Sequence, residues 1–150
     1  MAWRALLAFL ALPGVVAIAV PAWMTANALR AGARLHPVGL LPLLVGFALL
    51  VWCAREFYVA GKGTLAPWSP PRHLVTSGLY RYSRNPMYVA VAMMLAGWAL
   101  AFASSTIAIY AGFVIGAFHL RVVYGEEPWL ARTHGAAWDE YRSRVPRWLV

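Results

Sequence analysis

Long uncharged runs separated by short charged clusters organise this chain of 150 residues. No charge falls in the 25 residues between Arg4 and Arg30, or in the 20 between Arg34 and Arg55. At about 1.5 Å per residue, each run is long enough to cross a hydrocarbon core about 30 Å thick. Pro13, Gly14 and Pro21 predict a bend in the first run, tolerated in a membrane where neighbouring helices re-satisfy the freed backbone. The third run, Asn85 to Leu120, holds 36 residues. As one helix it would be about 54 Å long, too long for one crossing. Two shorter helices turning at Ser104-Ser105-Thr106 fit better. The expectation is an all-α integral-membrane bundle: a single domain, 1–150, of four transmembrane helices, the last two forming a C-terminal helical hairpin.

Composition supports a membrane setting. Apolar residues make up 62% of the chain and charged residues 12%, against about 25% charged in a typical soluble domain. The uncharged stretch after Arg4 is therefore read as a membrane helix and not as a cleaved leader. The net charge of +8 comes almost wholly from Arg, 12 of 13 basic residues, placed at the flanks of apolar runs. That placement argues for membrane flanks and against nucleic acid as a partner. Arg30 and Arg34 fall on one side and the other 11 basic residues on the opposite side. The positive-inside rule then puts both termini, and all five acidic residues, at the cytoplasmic face. Cys53 is the only cysteine, which rules out an intrachain disulfide and reads as a small core residue. His36, His119 and His134 have no metal-ligand spacing, so no metal is expected.

Candidate chemistry lies in two polar segments, Gly61 to Pro86 and Arg121 to Val150, both mixing aromatic and charged residues. Asn85 is a good helix N-cap and Pro86 a good first helical residue. A helix start offers free N–H groups to a carboxylate or phosphate. Thr76-Ser77-Gly78 predicts a shorter helix start upstream. Tyr80, Tyr82, Tyr88, Arg81 and Arg84 also suit plain anchoring at a membrane interface. The adjacent carboxylates Glu126 and Glu127 shift that balance, because the hairpin returns them toward Pro86. A ligand with a carboxylate, hydroxyls and a flat or cationic group would use all of these. S-Adenosylmethionine fits, its carboxylate on Arg or helix N–H, its ribose on Glu and its sulfonium near aromatic faces. A nicotinamide dinucleotide has similar tastes, but the usual G-x-G-x-x-G after a strand is absent.

The blocks "PPRHLVTSGLYRYSRNPMY" (Pro70 to Tyr88), "GEEPWL" (Gly125 to Leu130) and "HGAAWDEYRSRVPRWL" (His134 to Leu149) carry a resemblance. In order and spacing, the chain resembles the isoprenylcysteine carboxyl methyltransferase and phospholipid N-methyltransferase superfamily of integral-membrane methyltransferases. The pattern is G-x-Y-R-x-x-R-H/N-P-x-Y, a hairpin, E-E-x-x-L, then Y-x-x-Y and V-P-R, with catalytic blocks at 70–88 and 121–149. It implies S-adenosylmethionine as methyl donor at a cytoplasmic-face pocket, with S-adenosylhomocysteine as product. Cofactor contacts implied by the match are His73, Leu74, Val75, Gly78, Tyr80, Arg84, Asn85, Pro86, Tyr88, Glu126 and Glu127. Arg84, Tyr88 and Glu127 would serve catalysis, and Tyr141, Arg144 and Arg147 would close the pocket or meet the substrate. Asn85 stands where eukaryotic members have His, and Trp138 replaces the first aromatic of Y-x-x-Y.

The implied reaction is methyl transfer to a lipidic or hydrophobic small-molecule acceptor, through a carboxylate, amine or thiol. An amine must first lose a proton, for which Glu127, Tyr88 or His73 is placed to help. The alternatives are an NADPH-dependent membrane reductase of the sterol-reductase type and a non-enzymatic four-helix transporter or assembly factor. The three long runs hold no charge, which counts against a transport path. Arg121 is expected to snorkel to the interface. Arg55 and Glu56 either pair with the catalytic blocks or mark the interface. Gly97, Ala99, Ala101 and Ala103 form a small-residue stripe fit for close packing against another helix, leaving an oligomer possible.

Overall fold

A computed structural model describes residues 10–60 and 73–149. Expectations resting on residues 1–9, 61–72 and 150, including the beginning of the first span and of the 70–88 block, lie outside the described residues. A π-helical stretch, Leu10–Ala19, runs directly into α1 (Val20–Arg30). A 3₁₀ turn, Pro37–Gly39, leads into α2 (Leu40–Val59). A second, Gly78–Arg81, precedes α3 (Pro86–Ala101), which turns into α4 (Ser105–Arg121). A π-helical stretch, Val122–Glu126, continues into α5 (Glu127–His134), and α6 (Ala136–Arg144) closes the chain. No strand occurs among the described residues, in keeping with the all-α expectation. Two helices are long and apolar enough to cross a membrane, Pro37–Glu56 and Ser105–His134, and Pro86–Ala101 is a shorter apolar helix.

The α3–α4 hairpin forms within the predicted run, but it turns at Phe102–Ser104, and Ser105 and Thr106 of the expected turn already belong to α4. Ala103 takes a left-handed backbone (φ 45°), and Ser104 caps α4 by accepting from the Ile107 N–H at 3.3 Å. The first helix deals with its prolines through its neighbours. Pro21 has no N–H, so the Ala17 carbonyl four residues back has no helical donor. The Trp98 indole N–H supplies one at 3.0 Å. The Tyr110 hydroxyl does the same for the Val16 carbonyl at 2.9 Å.

Glycines set how closely α2 and α3 approach. A Cβ on Gly97 would lie 2.6 Å from the Leu43 backbone nitrogen, and one on Gly46 2.7 Å from the Ala90 carbonyl oxygen. A Cβ on Gly39 would lie 2.2 Å from the Ala101 nitrogen. The helices therefore meet backbone to backbone, which supports association where lipid removes the hydrophobic driving force. Part of the small-residue stripe on α3 thus finds its partner helix within this chain. Gly46, Leu50 and Cys53 fall on the inward face of α2, a helical spacing, and Gly39 lies buried just before it. Leu41, Leu44, Val51 and Trp52 are exposed on the outer face.

A second, mixed layer caps the end of the bundle where α3 starts and α4 finishes. Trp138, Tyr141 and Val145 of the α6 region form one cluster, joined by Leu74 and Leu130. Cys53, Val75 and Tyr80 form another, joined by Leu79 and Met87. The neighbours Leu74 and Val75 therefore serve different clusters, wedging the loop before Gly78–Arg81 between α2 and α6.

Candidate active site

Between these clusters lies a cleft enclosing about 560 Å³, part of it open to solvent. Of the residues singled out from sequence, His73, Leu74, Val75, Tyr80, Arg84 and Asn85 line one wall. Tyr88, Glu126 and Tyr141 line it as well. Gly78, Pro86, Glu127, Arg144 and Arg147 do not. Gly78 instead allows a positive φ of 58°, and a Cβ there would lie 3.0 Å from the Glu56 carboxyl carbon. Arg144 points to solvent and pairs with Glu140 at 3.0 Å, a surface pair one helical turn apart.

The two carboxylates do different work. Glu127 accepts a bidentate pair from Arg147, Nε at 2.9 Å and Nη2 at 2.8 Å. Arg84 Nη1 adds a third contact at 2.9 Å. Glu127 is thus occupied as a clamp between the start of α3 and the segment after α6. Glu126 faces the cleft. Its Oε1 accepts from the Tyr88 hydroxyl at 2.5 Å and from Arg121 Nε at 2.8 Å. No hydrogen bond among the described residues falls on its Oε2. Arg121, expected to snorkel, is tied to Glu126 instead. Glu56 pairs with the block, accepting from Ser77 Oγ at 2.8 Å, so Ser77 holds the loop rather than capping the 3₁₀ turn.

The expected capping role of Asn85 is also replaced. Asn85 precedes α3, but its side chain makes no cap bond. Its amide donates to the Arg147 carbonyl at 3.0 Å, and Ser83 Oγ accepts from the Asn85 N–H at 3.1 Å. The Arg84 N–H donates to the Pro146 carbonyl at 2.9 Å. The chain after α6 is thereby tied to the two residues that precede α3. The Tyr141 hydroxyl, donating to the Tyr80 carbonyl at 2.6 Å, is a further brace.

Electrostatics follow from burial. Arg84 sits over the Trp138 ring, its guanidinium carbon 5.5 Å from the centroid. Burial pulls its pKa below the usual value, and the Glu127 charge offsets this only in part. Arg147, bonded to the same carboxylate, is pushed up by that hydrogen bond. Burial raises Tyr80 and Tyr141 well above an ordinary tyrosine.

Among the described residues, two buried nitrogens in this site have no hydrogen-bond partner, Arg84 Nε and His134 Nε2. Met87, Leu130, His134 and Trp138 line the cleft without having been picked out as ligands. His134 ends α5, and only the eight-residue offset from Glu126 along one helix could have drawn attention to it. A second cavity, almost wholly apolar, runs between α3 and α4, lined by Val89, Ala92, Met93, Ala96, Ile115 and Gly116. Its end toward the cleft carries Phe118, His119 and Trp148. Tyr88 lines both cavities.

The chain matches the phospholipid methyltransferase family over residues 35–137. It belongs to that family. No curated protein and no solved structure matched it at a significant level. The matched stretch runs from the turn before α2, through the hairpin, to the start of α6, and so contains most of the cleft and groove lining, though not Trp138, Tyr141 or Trp148. The chain is accordingly a member of a methyltransferase family with helices fit for a membrane.

The methyl donor such a family implies can be tested against the residues present. S-Adenosylmethionine carries a carboxylate, an ammonium, ribose hydroxyls, a sulfonium and a flat base. The cleft offers an unpartnered guanidinium nitrogen, an open carboxylate oxygen on Glu126, an unpartnered imidazole nitrogen and aromatic faces at Tyr80 and Trp138. The residues fit the group.

Proposed function

We infer that the chain is an S-adenosylmethionine-dependent methyltransferase with four membrane helices and a site at the cytoplasmic face. Its acceptor is a lipidic or hydrophobic small molecule. The observation that carries this reading is Tyr88, shared by a cleft that carries Arg84, Glu126 and His134 and an apolar groove between α3 and α4. A donor in the cleft and an acceptor tail in the groove meet at that side chain. The excess of arginine on one side of the spans supports the orientation.

When bound, the cofactor supplies an electrophilic methyl group on sulfonium. The chain supplies position and shelter from water. Arg84 would hold the carboxylate through Nε, with Glu127 holding its other end. Glu126 Oε2 would accept from the ribose hydroxyls. Tyr88, oriented by Glu126, sits where the acceptor head enters. For an amine acceptor, Glu126 receives the proton by way of the Tyr88 hydroxyl. A carboxylate or thiolate acceptor needs no such transfer.

Calorimetric titration of detergent-purified protein tests the reading. Micromolar binding of S-adenosylmethionine and S-adenosylhomocysteine, weakened in Arg84→Ala, supports it. Binding of NADPH, with neither of those ligands bound by the folded protein, turns the assignment toward a reductase.

A further inference from the structure

One residue lining the cleft, His134, has no part in the proposed reaction. His134 lines the cleft but not the apolar groove, so it belongs to the donor side. Its Nε2 is buried and has no hydrogen-bond partner among the described residues. A buried polar atom without a partner costs stability, and such atoms in native structures call for an explanation. Trp129 packs edge-on to the imidazole, ring centroids 6.2 Å apart at 86°, which fixes the ring plane. Leu74, Leu130 and Trp138 supply flat apolar walls beside it.

The reach along the cleft identifies what His134 would meet. Methyl transfer is placed at Tyr88, whose hydroxyl is bonded to Glu126. His134 lies eight residues further along the helical path from Glu126, roughly 12 Å at the helical rise. Of the two arms of the cofactor, the amino-acid arm ends at its carboxylate after two methylenes. The adenosine arm interposes a ribose before a bicyclic base and is the longer one. Arg84, four residues before Tyr88 and just outside α3, takes the short arm. Adenine also presents ring-nitrogen acceptors and an amino donor, so an imidazole nitrogen is complementary to it in either tautomer.

We propose that His134 is the residue that recognises the adenine of the methyl donor, by a hydrogen bond from the ring edge to Nε2. This rests on the methyltransferase reading above. It makes His134 a binding residue that sets affinity and leaves the transfer step alone.

The test compares wild-type protein with His134→Phe, which keeps a ring of similar shape and removes both nitrogens. Two probes are titrated by calorimetry: S-adenosylhomocysteine, and 5′-methylthioadenosine, which has the adenosine arm without the amino acid. His134→Phe is expected to weaken both by the same factor, about tenfold for one hydrogen bond to a buried group. The variant without ligand should melt at or above the wild-type temperature, since replacing an unpartnered buried nitrogen by carbon removes a penalty. The rise in melting temperature on adding S-adenosylhomocysteine should shrink. Unchanged affinity in folded His134→Phe overturns the assignment while leaving the methyltransferase reading intact. Loss of S-adenosylhomocysteine affinity with 5′-methylthioadenosine unaffected places His134 on the amino-acid arm and also overturns it. Failure of the wild-type chain to bind either probe overturns the methyltransferase reading, and this assignment with it. His134→Gln, which restores a donor and an acceptor, should recover part of the loss.

Discussion

Arg147 grips Glu127 with two nitrogens, while Arg84 holds the same carboxylate from the other side. One carboxylate thus joins the start of α3 to the segment after α6. Its side chain is 15% exposed and that of Arg84 13%, so removing the acid leaves a largely buried guanidinium unpaired. Glu127→Ala should destabilise the protein by on the order of 3 kcal/mol, a drop of roughly 6–12 °C in melting temperature. Arg147→Lys, which cannot reproduce the fork, should lose less. A melting temperature within a degree of wild type for Glu127→Ala would show that the clamp bears no weight.

Tyr88→Phe keeps the ring at the junction of the two cavities and deletes the bond to Glu126. Affinity for S-adenosylhomocysteine should stay within about threefold, while methyl transfer to an amine acceptor falls by roughly 100-fold, in the range for one general acid–base group. Single-turnover transfer from labelled donor is the measurement. An equal loss in binding and transfer would make Tyr88 a cofactor contact only.

The carbonyls freed by Pro21 depend on Trp98 and Tyr110. Trp98→Phe should cost about 1–2 kcal/mol, from a lost hydrogen bond and a smaller ring. In a Pro21→Ala background the helix regains its own donor to Ala17, so the same substitution should cost less. A double-mutant cycle measures that coupling, and a zero coupling energy would remove the proline as the cause.

Alkaline stability should reveal the two braced tyrosines. Tyr80 and Tyr141 are raised in the folded state by burial, so the folded protein favours their protonated forms. Their contribution is complete below the unfolded value near pH 10 and is lost as pH rises toward the folded value. The loss is about 1.4 kcal/mol per pH unit for each group. Tyr141→Phe, lacking one ionisable group, should melt with a shallower pH dependence above pH 10. An unchanged slope would exclude Tyr141 from the titration.

Much of the fold was legible because charge and apolarity are segregated along the chain. The apolar runs gave the long α2 and the hairpin, and Ser104 marked the cap of α4. The residues lining the cleft were legible in the blocks around Tyr80, Arg84, Tyr88 and Glu126. What escaped was partnership. Asn85 looked like a cap, yet the Arg147 carbonyl, 62 residues away, claims its amide. Glu126 and Glu127 looked equivalent, and only their opposite directions on a helix separate a cleft wall from a clamp. Arg144 sits in the matching terminal block but on the outer face of α6. His134 carried no local signal, because its distinguishing feature is a missing partner in three dimensions.

The glycine contacts between α2 and α3 have a mechanical meaning. Backbones that touch at Gly39, Gly46 and Gly97 cannot slide past one another without collision, so α3 is bolted to α2 along one flank. Its other flank faces α4 across Ala92, Ala96 and Gly116, where a Cβ on Gly116 would meet nothing within 4 Å. The hairpin therefore has a stiff seam and a yielding one. Were a bulky chain to enter between α3 and α4, the expected movement is of α4 about the Phe102–Ser104 turn, with the wall carrying Tyr88 held in place by α2.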